Sequence, residues 1–216
     1  MEGDGQAWAA GKDFAHNVLF CENDVLLVDA LSRFVGEGLE TGCAAVIIAT
    51  ESHRQDLDTR LRQRGLDPEG AGKANQYVAA DAAETLQSFM KDGWPDEERF
   101  LETVTGLFAR VGSQYQRVRA YGEMVALLCA EKKPEAALHI ERLWNAYGRV
   151  RSFSLLCAYP WDSVKRDVSA RQLHGIRDQH QMVIPQPRSA LLTGSNDPSL
   201  AILDSRNPAA AQMPRG

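Results

Sequence analysis

Hydrophobic positions along the chain alternate between two patterns. Short apolar runs, bounded by turn residues, occur at His16–Cys21, Cys43–Ala49, Gln76–Ala80, Val118–Tyr121 and Phe153–Tyr159. Runs of this kind suit strands buried on both faces, as in a parallel sheet. Between them lie longer segments whose apolar residues recur near helical spacing. Asn23 suits an N-cap for a helix to about Glu40, with Leu27, Leu31, Phe34 and Val35 in phase and Gly42 as its stop. Ser52 and Gln55 have the spacing of a capping box for a helix over Arg54–Arg64, closed by Gly65. Asp67–Asn75, with one proline and two glycines, predicts a loop.

Further along, Asp81 and Glu84 suit the start of a helix over Ala82–Lys91. Gly93 and Trp94 then mark a stop, and Pro95 suits the first position of a helix running to Val111, with Phe100, Val104, Leu107, Phe108 and Val111 on one face. Gly122 breaks the fourth apolar run and Glu123 opens a helical run, Met124–Leu128. Pro134 starts a helix rich in Leu138, Ile140, Leu143, Trp144 and Tyr147, and another is expected over Asp162–Ile176 after Pro160. There is no internal repeat. Strands alternating with helices predict an α/β fold in three layers, a mainly parallel sheet flanked by helices.

Composition narrows the function classes. The 216 residues are 44% hydrophobic and 25% charged, with a net charge of −5, which disfavours a nucleic-acid-binding face. No apolar run approaches the roughly 18 residues needed to span a bilayer, and the N-terminus lacks a signal-peptide pattern. A cytoplasmic protein is expected, with a loose N-terminus (1–12), one domain (13–184) and a flexible Pro/Ser/Ala-rich tail (185–216). Cys21, Cys43, Cys129 and Cys157 are scattered and lie in or beside apolar runs, so buried thiols are expected rather than metal or redox chemistry. The five histidines show no close-spaced ligand pattern, and no metal or cofactor is expected.

The first strand-to-helix turn, Cys21-Glu22-Asn23-Asp24-Val25, holds neither glycine nor lysine, and it carries two carboxylates. A phosphate-binding loop needs the reverse, free backbone N–H groups and a cation, so nucleotide hydrolysis is not expected. No G-x-S-x-G elbow or H-E-x-x-H pair is present. Ligands of open parallel sheets gather where strands end, which makes Glu123, Arg119, His16, Glu22, Asp24 and Tyr159 the candidate ligand-binding residues. Arg119 inside a strand needs a carboxylate partner, for which Glu123, Glu22 or Asp24 could serve. Asp81 suits a helix cap, and Trp94, Trp144 and Tyr147 suit core or pocket wall.

Several segments together resemble the MEDS domain, the methanogen/methylotroph DcmR sensory domain. They are His16–Phe20, Phe34–Leu39, Asp81–Leu86, Phe89–Asp96, Arg119–Val125, Leu143–Asn145, Phe153–Pro160 and His180–Pro185, covering residues 14 to about 185 in the family's order. The resemblance implies a RecA/KaiC-like core of degenerate P-loop type, and a non-enzymatic sensor of small molecules, hydrocarbon derivatives among them. The family is typically joined to a helix-turn-helix, a histidine kinase or an anti-sigma-type kinase. With no such output segment here, the expectation is a domain that signals through a protein partner, does not bind DNA directly and could self-associate. Three alternatives remain open: an interaction module with a vestigial pocket, a nucleotide-binding but non-hydrolysing protein, and an enzyme with Glu123 as general base.

Overall fold

The computed structural model describes residues 14–184, so the expected loose N-terminus and tail lie outside the described residues. The chain runs β1 (Ala15–Cys21), α1 (Asp24–Glu40), β2 (Ala44–Ala49), α2 (Glu51–Gln63), α3 (Pro68–Lys73), β3 (Tyr77–Asp81) and α4 (Ala82–Phe89). It continues through β4 (Met90–Lys91), β5 (Trp94–Pro95), α5 (Glu97–Ala109), β6 (Val118–Gly122), α6 (Met124–Ala130) and α7 (Pro134–Gly148). The last elements are β7 (Ser154–Pro160), α8 (Trp161–Asp167), α9 (Ala170–Asp178) and β8 (Met182–Ile184).

Six strands form one parallel sheet in the order β3-β2-β6-β7-β1-β8. Side chains alternate between its faces. On one face Leu19, Ile47, Tyr121 and Leu156 pack with α1 and α2 residues such as Leu31, Phe34 and Leu57. On the other, Val18, Val46, Ala120 and Leu155 pack with α4 to α9. The three-layer α/β expectation is borne out. Trp144 and Tyr147 are core: Phe100, Phe108 and Phe153 meet them edge-on or tilted, at ring separations of 5.2–6.0 Å. Trp94 differs, lying 47% exposed and stacked on His139. Among the described residues no helix is long and apolar enough to cross a membrane.

Several local expectations need correction. β2 ends at Ala49, so Thr50 is the first residue free to cap; its hydroxyl accepts from the His53 N–H, and α2 begins ahead of the expected Ser52 box. The expected loop over 67–75 contains α3, capped by Asp67 with Pro68 in its first turn. Pro95 is not the first residue of α5. It belongs to a two-stranded hairpin with Met90 and Lys91, whose tight turn places Asp92 at φ 52° and Gly93 at φ 80°. Asp96 caps α5 instead. The single helix expected over 162–176 is two, divided at Val168–Ser169, where Ser169 and Gln172 form a capping box for α9. β8, unpredicted, joins the sheet at β1's free edge.

Candidate functional site

The site candidates separate into three places, because strand position and face are independent. Arg119 is the second residue of β6, near the sheet's N-terminal edge, and points toward α1. Its guanidinium donates to the Phe34 carbonyl, lies over the Phe34 ring at 5.2 Å and reaches Glu37 at 3.9 Å. Gly38 makes room for it, since a Cβ there would sit 2.7 Å from Arg119 Cδ. The expectation that Arg119 pairs with Glu123, Glu22 or Asp24 is therefore corrected; it ties helix α1 to the sheet.

Glu123 stands at the opposite edge. Its N–H donates to Ile48 O at 3.1 Å, which extends the β6 ladder by one residue beside the end of β2. The helix after β2 covers one face and the helix after β6 covers the other, so Glu123 and Thr50 flank a point where the connections diverge. Such a point leaves a crevice between strand ends. Glu123 gives α6 no side-chain cap. Its carboxylate instead accepts from the Thr50 N–H, from His53 Nδ1 at 2.7 Å and from the Tyr121 hydroxyl at 3.0 Å. His53 Nε2 then faces Asp24 Oδ1 at 3.6 Å, so the relay runs from a buried hydroxyl to an acid 79% exposed.

Charge is stabilised along this relay. Burial disfavours the Glu123 carboxylate, but the His53 and Thr50 contacts outweigh it and hold its pKa below the ordinary value. The Glu123 hydrogen bond raises the His53 pKa against the opposing effect of burial, with the Glu123 and Asp24 charges adding to it. Burial, and then the Glu123 charge, push the Tyr121 hydroxyl well above the phenol range. With Nδ1 committed to Glu123, the imidazole at the rim offers Nε2 for exchange between Asp24 and an incoming acceptor. At the neighbouring turn, Glu22 is exposed, and Asn23 accepts the Leu26 N–H at 3.0 Å. The N-terminus of α1 is thus capped by the protein's own side chain.

His16 and Tyr159 belong to a third place, between the sheet and α7. Both point to the same face as Cys157, and they surround Glu141, a carboxylate buried on α7. The Tyr159 hydroxyl donates to Glu141 Oε1 at 2.6 Å. His16 Nε2 lies 3.2 Å from Glu141 Oε2 and 3.4 Å from Cys157 Sγ, and that sulfur lies 3.3 Å from Oε2. His180, which follows α9, brings its Nε2 to 3.4 Å from Oε1. The segment carrying His180 is fastened to β1: the Gln181 N–H donates to His16 O at 2.7 Å, and the His16 N–H donates to the Gln181 side chain. Burial would neutralise Glu141, but His180 and His16 hold its pKa well below the carboxylate range. Burial, followed by His180, lowers the His16 pKa. The four donor atoms of His16, Glu141, Cys157 and His180 all lie within 4.8 Å of one another.

Sequence reasoning missed His53, Glu141 and His180. His53 is four residues past the end of β2 at Ala49, where a side chain turns back over the sheet edge. Glu141 carried a stronger signal, a carboxylate three residues before Trp144 on an otherwise apolar helix face. His180 follows the last helix and carried no periodic signal.

The comparisons with known proteins agree with this architecture. The family model of MEDS, the MEthanogen/methylotroph, DcmR Sensory domain, matches residues 15–181. A crystal structure of a KaiC-like protein from the hyperthermophilic archaeon Pyrococcus horikoshii OT3 is similar in fold, with a TM-score of 0.53 at 16% identity, over 83% of this chain and 75% of that one. No curated protein matches the chain.

Proposed function

The chain belongs to the MEDS sensory-domain family, and from that premise we propose that it is a non-enzymatic sensory domain of a prokaryotic signalling or transcription-control system. A small ligand, a polar hydrocarbon derivative in this reading, binds at the crevice where β2 and β6 end. The signal passes to a protein partner of the kinase, anti-sigma or transcription-regulator class, in the cytoplasm. The observation that carries the proposal is His53. It is held by buried Glu123, its side chain is 16% exposed, and it faces a solvent-exposed acid. A ligand acceptor that takes Nε2 from Asp24 changes how α1, α2 and β6 are tied together, and so favours one arrangement of the helices over another.

Two features support a role without turnover. The first turn carries Glu22 and Asp24 where a triphosphate would need cations, and Asn23 already satisfies the helix end there. Glu123, as a general base, would have to accept a proton with three donors already on its oxygens and a depressed pKa. The same satisfaction of Glu123 favours a second reading, an interaction module with a vestigial crevice. Native mass spectrometry of the protein from its own host tests both, by showing retained small molecules and co-purifying proteins. A melting scan with small alcohols, aldehydes, acids and an ATP analogue completes the test. Stabilisation by a hydrocarbon derivative, lost in His53→Ala, is the expected result. Stabilisation by the ATP analogue alone overturns the sensory reading of the crevice.

A further inference from the structure

The buried cluster between the sheet and α7 takes no part in that reading. We propose that His16, Glu141, Cys157 and His180 together bind one divalent transition-metal ion of zinc-like softness.

The geometry comes first. His16 Nε2, Cys157 Sγ and Glu141 Oε2 form a nearly equilateral triangle with sides of 3.2, 3.3 and 3.4 Å. Ligands at about 2.0–2.3 Å from a tetrahedral zinc ion stand roughly 3.3–3.8 Å apart, so the triangle has the size of one coordination face. His180 Nε2 supplies the fourth corner from the other side of Glu141.

The imidazoles are oriented as ligands. Asn145 Nδ2 donates to Gln179 O at 2.9 Å, which fixes its amide and leaves Oδ1 as the acceptor for His16 Nδ1 at 3.0 Å. His180 Nδ1 meets the Ile176 carbonyl at 2.6 Å. Each ring therefore donates its Nδ1–H outward, and in the neutral ring Nε2 is a bare lone pair turned toward the other donors. Holding the far N–H on an oxygen acceptor is how proteins fix a histidine for a metal. Buried His180 Nε2 has no hydrogen-bond partner among the described residues. The lone pairs of two rings turn toward a carboxylate whose Oε2 receives the Cys157 S–H, and a cation that displaces that thiol proton satisfies all four groups.

Charge and softness agree. A thiolate, a carboxylate and two neutral imidazoles sum to −2, so a divalent ion leaves a neutral site in a dry interior, where any residual charge is costly. The mixed N, S and O set suits a borderline ion such as Zn2+ rather than Mg2+ or Ca2+, which prefer all-oxygen shells. Tyr159, donating to Glu141 Oε1, leaves Oε2 as the coordinating oxygen. The ligands come from β1, α7, β7 and the segment between α9 and β8, so the ion fastens α7 and the approach to edge strand β8 to two interior strands of the sheet. This assignment is independent of the crevice; either can fail alone.

Cobalt substitution tests it. The full chain, prepared without a histidine tag and stripped with a chelator, is titrated with Co2+. About one equivalent binds, giving a thiolate-to-cobalt charge-transfer band and the visible bands of a four-coordinate ion, and Zn2+ displaces it while raising the melting temperature. Cys157→Ser removes the charge-transfer band, and His180→Gln weakens binding by more than about 10-fold. His174→Gln, at an exposed position of α9, changes neither. Folded wild-type protein that gives no band overturns the proposal, as does a band that survives at full affinity in His180→Gln. Should Cys157→Ser fail to fold, the wild-type spectrum and His180→Gln still decide.

Discussion

Arg119 and Glu123 stand at opposite ends of one strand and do not meet: four residues of extended chain, about 13 Å, separate their backbones. Tyr121 lies between and donates its hydroxyl to Glu123, while Arg119 turns under α1 to the Phe34 carbonyl. One strand thus carries a structural tie at one edge and the inner end of a relay at the other. The two residues should behave differently when changed.

Arg119→Ala removes the charged hydrogen bond to the Phe34 carbonyl and the contact over the Phe34 ring, and opens a space beneath Gly38. The expected cost is about 2–3 kcal/mol, read as a lower denaturation midpoint at unchanged slope. Crevice ligands should bind the folded variant as they bind the wild type. Lost affinity without lost stability would return Arg119 to the site.

Glu123→Gln keeps one acceptor oxygen but turns an NH2 group toward donors, so one of the three hydrogen bonds becomes a clash of donors. The fold should survive at a cost of about 1–3 kcal/mol. The decisive readout is His53, whose pKa is raised first of all by the Glu123 hydrogen bond. An NMR titration should show that pKa falling back toward about 6.5 in the variant. An unchanged His53 titration would mean that the relay does not couple the two groups.

The fold was legible because its signals are local. Continuous apolar runs such as Cys43–Ala49 are long enough for strands and are separated by capped helices. The helix over 24–40 announced itself through Asn23 and Gly42. The errors fell where two signals competed for a few residues: Pro95 suits a helix start, yet Asp92 and Gly93 closed a hairpin first. The site was only half legible. Glu123 could be placed at a strand end, but its partner His53 lies 70 positions earlier, and only the pairing of β2 with β6 brings them together. His16 and Tyr159, both near strand ends in the sequence pattern, do converge, though on Glu141 and away from Glu123. Spacing alone carries no information on which faces of a sheet meet.

The relay also predicts a pH window for stability. The folded pKa of His53 is raised, so its contribution is complete below its unfolded value, about 6.5, and is lost as pH rises through the folded value. The folded pKa of Glu123 is lowered, so its contribution is complete above its unfolded value, about 4.3, and is lost as pH falls through the folded value. The stability difference between wild type and His53→Gln should be largest between about pH 4.3 and 6.5 and shrink on either side. Chemical denaturation across pH measures it, and a difference that grows above neutrality would contradict the assigned signs.

Tyr159→Phe probes the buried cluster by removing one oxygen atom. The hydroxyl donates to a fully buried carboxylate at 2.6 Å, and hydrogen bonds to charged groups are worth about 1.5–3 kcal/mol. Phe preserves the packing against Phe20, whose ring centre lies 5.8 Å from that of Tyr159, so the loss should fall in that range. The loss also separates two descriptions of Glu141. If the carboxylate depends on hydrogen bonds alone, the cost should be the same with chelator or with Zn2+ present. If Zn2+ is bound through Oε2, the hydroxyl also supports the metal through the carboxylate, and the cost of Tyr159→Phe should be larger in saturating Zn2+ than in chelator, by the free energy of the lost affinity. The metal affinity itself should fall by about 10–100-fold, the usual price of a lost outer hydrogen bond. Paired denaturation curves with and without Zn2+ read both quantities from the same variant.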